Sequence, residues 1–232
     1  LAPSFMKNWI KSALSRLAPR AKDAITSYNN MKLSRRMHSA TQRQIKDLLY
    51  PGSEARVIAG PFAGMRYIDA IVWGPITPKW LGTYEKELWS IIDQILTTIR
   101  PKVVIDVGAA EGYYAVGLAY QLASQSQVFS YDLDHRARSY QKQLAELNGV
   151  NNLNIKTLCN HAELNTRIIS GETLVICDIE GGEHDLLNPI IATQLTKTNI
   201  LVELHTTKSV DLPTLYKLMI ERFSATHTIQ TI

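Results

Sequence analysis

"VVIDVGAAEGYYAVGLA", residues 103–119, begins as an unbroken apolar run and stops at Asp106. It then turns between Gly108 and Gly112 and continues at helical spacing. A short apolar run, a glycine turn and a helix make the first half of a β-α-β unit, with the strand buried on both faces. The pattern recurs downstream. "QVFSYDLD" (127–134) precedes a helical stretch over 136–149, and "NLNIKTL" (152–158) reads as a third strand. "TLVICDIEGGE" (173–183) leads into a helix over 184–195, and "NILVELH" (199–205) into a helix capped by Asp211. Buried strands alternating with helices predict an α/β fold, a doubly wound and mostly parallel Rossmann-like sheet. The closing "THTIQTI" (226–232) reads as one more strand, which predicts six strands in all.

Ahead of residue 101 the pattern is looser. Residues 1–50 read as a basic helical N-terminal extension, 51–100 as short strands, a loop and a leading helix, and 101–232 as the sheet domain. "ARVIAGPFAGMRYIDA" (55–70) predicts two short strands around a Gly-Pro turn, and a helix is expected to start near Thr83. Of the tryptophans, Trp89 fits a helix core, whereas Trp73 and Trp80 lie in a Pro/Gly-rich loop from which they could stack on a sugar face.

Parallel sheets bind ligands at the carboxyl ends of their strands. Asp106, Asp132, Asp178, Glu203 and His205 all fall there. The dinucleotide fingerprint requires G-x-G-x-x-G, but Ala110 stands where its second glycine belongs, and Asp106 and Glu111 would repel a pyrophosphate. S-adenosylmethionine (SAM) has no phosphate, and its reactive end carries a sulfonium and an ammonium. A carboxylate at the tip of the first strand attracts such a ligand, and Gly108 and Gly112 let its methionine portion lie against the turn. Asp132 or Asp134, ending the second strand, could accept from the ribose hydroxyls.

Together "VVIDVGAAEGYYA", "VFSYDLD", "LVICDIEGGEHDLL" and "ILVELH" resemble the FkbM-type branch of class I SAM-dependent methyltransferases, whose D-[IV]-E-G-x-E block follows the fourth strand. The likeness runs over about residues 83–205. It implies O-methylation of a glycan, a glycolipid or a natural product. By position it places Asp106, Gly108 and Gly112 at the methionine end of the cofactor, Asp132 at the ribose, and Asn160 and His161 near the adenine. "GTYEKEL" is similar to the segment that closes over the cofactor, which brings in Tyr84 and Glu85.

Methylating a hydroxyl requires alignment and a means of removing its proton. His205, just past the fifth strand, is the candidate base, with Asp178 beside the reacting hydroxyl and Glu203 or Asp178 orienting the ring; His184 is the second choice. Glu180, Glu183 and Glu203 are candidates for holding the acceptor. Asp178, Glu180 and Glu203 could also bind Mg²⁺, though no spacing demands a metal. A helix-start role, complementing the helix dipole, is a further reading of Asp178, Glu180 and Glu183.

Composition sets outer bounds. The net charge of +4 hides an asymmetry: residues 1–50 carry ten Lys/Arg against Asp23 and Asp47, and the remainder is net acidic. Phe5, Met6, Trp9, Ile10, Ala13, Leu14 and Leu17 form one face of a helix whose other side carries Lys7, Lys11 and Arg16. This helix could contact a membrane surface peripherally, dock on the protein's own core, or belong to an organelle-targeting leader. No run reaches the ~18 apolar residues of a membrane span. Cys159 and Cys177 read as reduced core residues, which suits a cytoplasmic protein. A non-catalytic SAM-binding partner and a nicotinamide-dependent oxidoreductase are the competing readings. The basic arm keeps nucleic-acid methylation as an alternative, although the N/D-P-P-[YF] block of amino-methylating enzymes is absent.

Overall fold

The computed structural model describes residues 40–232. The amphipathic helix expected over 5–17, and any contact it makes, lies outside the described residues. The chain divides into two compact units, Leu1–Ser53 and Glu54–Ile232. In the first, residues 40–49 are helical. The second contains residues 54–100 together with the sheet.

Five strands form that sheet: β1 (Val103–Val107), β2 (Gln127–Tyr131), β3 (Leu153–Lys156), β4 (Thr173–Cys177) and β5 (Asn199–Val202). Their order is β3-β2-β1-β4-β5 and every pairing is parallel. The order reverses between β1 and β4, which opens a crevice at their carboxyl ends. All five residues of β1 and all five of β4 are buried, as their unbroken apolar runs require of strands covered on both sides. Val103, Ile105 and Val107 pack with Val175, Cys177, Leu187, Met219 and Phe223 in one cluster. Asp106 has the opposite parity and faces the other side.

The helices are α1 (Ile76–Leu81), α2 (Trp89–Gln94), α3 (Tyr113–Leu122), α4 (His135–Leu147), α5 (His161–Arg167), α6 (Glu183–Leu186) and α7 (Leu212–Phe223). Asp134, Asn160 and Asp211 cap α4, α5 and α7, each accepting a backbone N–H with its side chain.

Four expectations change. The helix expected from Thr83 is interrupted: α1 ends at Gly82 (φ 75°), and Glu85, at φ 45°, delays the next helical turn to Lys86–Leu88 and α2. The helix expected over 184–195 stops at Leu186, because Pro189 cannot continue the backbone ladder, and only Thr193–Lys197 coil again as 3₁₀. Residues 55–70 make one antiparallel bridge, Arg56 to Arg66, rather than two strands. Residues 226–232 form no sixth strand among the described residues. They hold on through side chains instead, His227 Nε2 meeting Thr198 O at 2.8 Å and Tyr216 Oη meeting Thr231 Oγ1 at 3.2 Å.

Both cysteines are free and buried. Burial first, and then the Glu163 charge, push the Cys159 thiol up to about 12. No helix among the described residues is long and apolar enough to cross a membrane.

Candidate active site

Gly108 and Ala109 donate their backbone N–H groups to Tyr131 O at 2.9 and 3.1 Å, so the turn after β1 is tied to the end of β2. Ala110 N donates to Asp132 Oδ2 at 2.9 Å, and Gln141 Nε2 donates to Ala110 O at 2.7 Å. Gly108 is irreplaceable on geometric grounds. Its φ is 87°, and a Cβ there would lie 1.6 Å from Asp178 O. This near-contact marks where β1 and β4 part.

A cavity of about 790 Å³ opens at that point. Asp106, Gly108, Tyr84, Glu85, Tyr113, Tyr114, Asp178 and Glu203 are among its lining residues, and it extends to apolar side chains of β5 and α7. Asp106 is 3% exposed, and its Oδ2 has no hydrogen-bond partner. Burial first, then the charges of Asp178 and Asp132, push its carboxyl up to about 7. Burial, with the Glu203 charge second, raises Asp178 to about 6. Tyr84 stacks under the Lys79 ammonium at 4.6 Å, and Tyr114 Oη donates to Glu85 at 2.5 Å. Tyr113 and Tyr114 were not singled out in the sequence, although the adjacent pair directly after the glycine turn was a usable signal.

Glu111 does not repel ligands, because its charge is used inside the protein. It is fully buried, pairs with Lys79 Nζ, and accepts from Tyr67 Oη at 3.0 Å and Val72 N at 3.1 Å. Buried charges persist only when matched in this way. Lys79 was invisible to sequence reasoning because its partner lies 32 residues away.

A second corner, at the ends of β4 and β5, collects acids around one imidazole; Asp178 and Glu203 line the cavity, whereas His205, Glu180 and Glu183 stand behind them and do not. His205 Nδ1 lies 3.0 Å from Glu183 Oε1 and 3.7 Å from Asp178 Oδ1. Its Nε2 lies 3.7 Å from Glu180 Oε2 and 3.6 Å from Glu203 Oε1. Burial alone would lower the imidazole pKa, but the Glu183 hydrogen bond and the Glu180 and Asp178 charges outweigh it and raise the group above 6.5. Two readings are corrected here. The orienting partner is Glu183, since neither Asp178 nor Glu203 reaches hydrogen-bond distance. Glu183 also cannot hold an acceptor: it is 1% exposed, and its oxygens take the amides of Ile179 and Gly181.

Other expected residues stand elsewhere. Asp132 accepts from Ala110 N and Asp134 N, and it does not line the cavity. Asp134 is committed to capping α4 and pairing with Arg136. Gly112 (φ 99°) starts α3 and packs on Val116 and Gln141. Asn160 is occupied as a cap, accepting from Glu163 N at 2.9 Å, and His161 Nε2 meets Asp185 O at 2.9 Å. Neither lines the cavity. His184 sits in α6, its Nε2 3.5 Å from Asp185. Trp80 is enclosed in α1 and cannot stack on a sugar, whereas Trp73 is 65% exposed.

Donor atoms of Asp178, Glu203 and His205 come within 4.8 Å of one another. The set does not fit Mg²⁺, which demands a near-octahedral shell of oxygens. One of the three donors is an imidazole nitrogen, and Asp178 and Glu203 are substantially solvated. The one buried acid, Glu183, has spent its oxygens on backbone amides and His205.

No protein-family model and no curated protein sequence matches the chain. Solved structures do share its architecture. One is described as an O-methyltransferase from Klebsiella pneumoniae (13% identity, TM-score 0.43, covering 56% of this chain and 64% of that one). Another is the ribosomal protein L11 methylase of Lactobacillus delbrueckii subsp. bulgaricus (17%, TM-score 0.44, 60% and 68%). A third is the bifunctional kinase-methyltransferase WbdD (18%, TM-score 0.41, 58% and 33%). The chain thus spans less than two thirds of the first and about a third of the last. At such scores the likeness carries no argument about chemistry, which rests on the site itself.

Proposed function

We propose that this protein is a SAM-dependent O-methyltransferase of the FkbM-type branch, acting on a hydroxyl of a glycan, glycolipid or natural product. The observation that carries the reading is Asp106: a buried carboxylate with an orphaned oxygen, lining a cavity at the switch point of a parallel sheet. An unpaired buried acid is costly unless a ligand supplies the missing partner. The ligand that suits it is cationic, because Glu85, Asp178 and Glu203 line the same space and the rings of Tyr84, Tyr113 and Tyr114 supply electron-rich faces. The Gly108 turn, which has no room for a Cβ, lets such a ligand approach the backbone closely. Around Asp106 a pyrophosphate would meet the carboxylates of Glu85, Asp178 and Glu203, and the one lysine of the lining, Lys79, is already paired with Glu111, which weighs against a nicotinamide cofactor.

Asp106, Gly108, Tyr84 and Glu85, which line the cavity, would hold the cofactor, and Asp132 would act behind them by holding Ala110 N in the turn. When bound, SAM would supply an electrophilic methyl carbon on a positively charged sulfur, whose bond to that carbon would be exchanged for one to the acceptor oxygen. The chain's own part is alignment and proton removal. His205 takes the hydroxyl proton, and the acids around it stabilise the imidazolium. Asp178, lining the cavity and 3.7 Å from the ring, orients the hydroxyl. Glu180 and Glu203, both solvated, remain free to bind further hydroxyls of the acceptor.

Incubation with methyl-labelled SAM and separate glycan, lipid and RNA fractions tests this reading. Label is expected in the glycan or lipid fraction. SAM binding with no label transferred to any fraction would instead support a non-catalytic SAM-binding protein.

A further inference from the structure

Within the methyltransferase reading, we propose that Glu183 is the positioning residue for His205. Its buried carboxylate holds the imidazole in the tautomer that leaves Nε2 free as the proton acceptor. An ionised carboxylate can only accept hydrogen bonds. Glu183 Oε1, 3.0 Å from Nδ1, therefore requires the ring's proton on Nδ1. In the neutral imidazole the lone pair is then on Nε2. The nearest charged atoms on that side, Glu180 Oε2 at 3.7 Å and Glu203 Oε1 at 3.6 Å, stand beyond hydrogen-bond reach, which leaves Nε2 open to a hydroxyl.

Glu183 is built to stay ionised. Burial works against its charge, but backbone amides, including those of Gly181 and Ile179, and the His205 bond outweigh it and hold its pKa below the usual carboxylate value. The same carboxylate fixes the turn that carries Glu180. That turn places Gly181 at φ 111°, which glycine adopts freely, and Glu180 at φ 57°, a conformation that needs an anchor. Glu183 thus joins the turn after β4 to His205, three residues past β5, and the imidazole orientation and the Glu180 turn depend on one group. Among the described residues, the charged groups facing the ring are Asp178, Glu180, Glu183 and Glu203.

The decisive measurement is the nitrogen chemical shifts of His205 at pH 9 in the native chain without cofactor, which report the tautomer directly. A proton on Nδ1 is expected, and a ring protonated on Nε2 overturns the proposal. Glu183→Gln sharpens the test, because it removes the charge from the acceptor facing Nδ1 and so loosens its hold on that tautomer. The variant should show a shifted tautomer population and a kcat lower by on the order of 10²- to 10⁴-fold, the range for losing a correctly oriented base. SAM affinity should stay at the wild-type value, and Glu183→Asp should recover part of the rate. If Glu183→Gln only lowers the melting temperature, leaving tautomer and pH profile unchanged, Glu183 is a turn anchor and nothing more. The nitrogen shifts are read without SAM, so a failure of the methyltransferase reading shows separately, as absent SAM binding.

Discussion

The two corners at the carboxyl ends of the strands are made differently. The first, from Asp106 to Gly112, is shaped by main chain: amides of Gly108 and Ala109 on Tyr131 O, and a glycine pressed against Asp178 O. The second, around His205, is shaped by side chains contributed from the ends of β4 and β5 and from α6. Backbone geometry depends on local sequence and tolerates almost no added atom. Side-chain geometry depends on distant partners, and its failures should appear in rate rather than in folding or cofactor affinity.

The sharpest break of that contrast is Gly108→Ala. A Cβ 1.6 Å from a carbonyl, at a φ of 87°, forces the backbone apart. Roughly 3 kcal/mol or more of stability should go, and SAM binding with it. Gly182→Ala in the other corner is the control: its Cβ meets the end of the Ile179 side chain at 2.9 Å, which can move. Thermal melts of the two variants should separate clearly, and equal losses would erase the distinction.

Next in size is His205→Ala, expected to cut methyl transfer by ~10²–10⁴ while calorimetry shows unchanged SAM affinity. In the wild type the base must be deprotonated, so kcat/KM should rise with pH through a value above 6.5, because the surrounding acids raise the imidazole. A flat profile from pH 5 to 9 would mean that alignment alone accelerates the reaction, or that His184 is the base.

Asp106→Asn probes the first corner with a smaller change. The native carboxyl titrates near 7, far above its ordinary 3.8. A raised acid stabilises the fold at low pH, and that contribution disappears as pH rises through about 7; Asp178, raised to about 6, acts in the same sense. The ligand-free variant should therefore melt higher than wild type at pH 8, yet bind SAM about 1–3 kcal/mol more weakly. Loss of both stability and binding would mean that Asp106 is simply structural. Asp132→Ala removes the acceptor that holds Ala110 N in the turn, so SAM should bind about 1–3 kcal/mol more weakly, and unchanged binding would mean that the turn does not depend on it. The smallest expected effect is none at all: activity should survive a chelator, since the donor set does not suit Mg²⁺, and a chelator-sensitive rate would reverse that reading.

The contrast also explains what could be read from residues alone. The parallel sheet, the glycine turn and the acid-tipped strands follow from contiguous patterns, so Asp106, Gly108 and the cap Asp211 stand where periodicity places them, whereas Asp134, read as a ribose ligand, caps α4 instead. Partners far apart in sequence were not legible. Glu111 looked like a free acid because Lys79 and Tyr67 reach it only through tertiary packing. Glu183 opens α6, one of the readings its position allowed, but its bond to His205, 22 residues away, arises only from packing. The sixth strand failed for a related reason. "THTIQTI" alternates like a strand, but at the edge of β5 its polar side chains find partners of their own, and no ladder forms.

One titration tests the central claim most directly: the protein against SAM and, separately, against NADH, followed by calorimetry at pH 8, where Asp106 is ionised. The account predicts SAM binding in the low-micromolar range, about −8 kcal/mol, and no binding of NADH. Binding of NADH without SAM would contradict it.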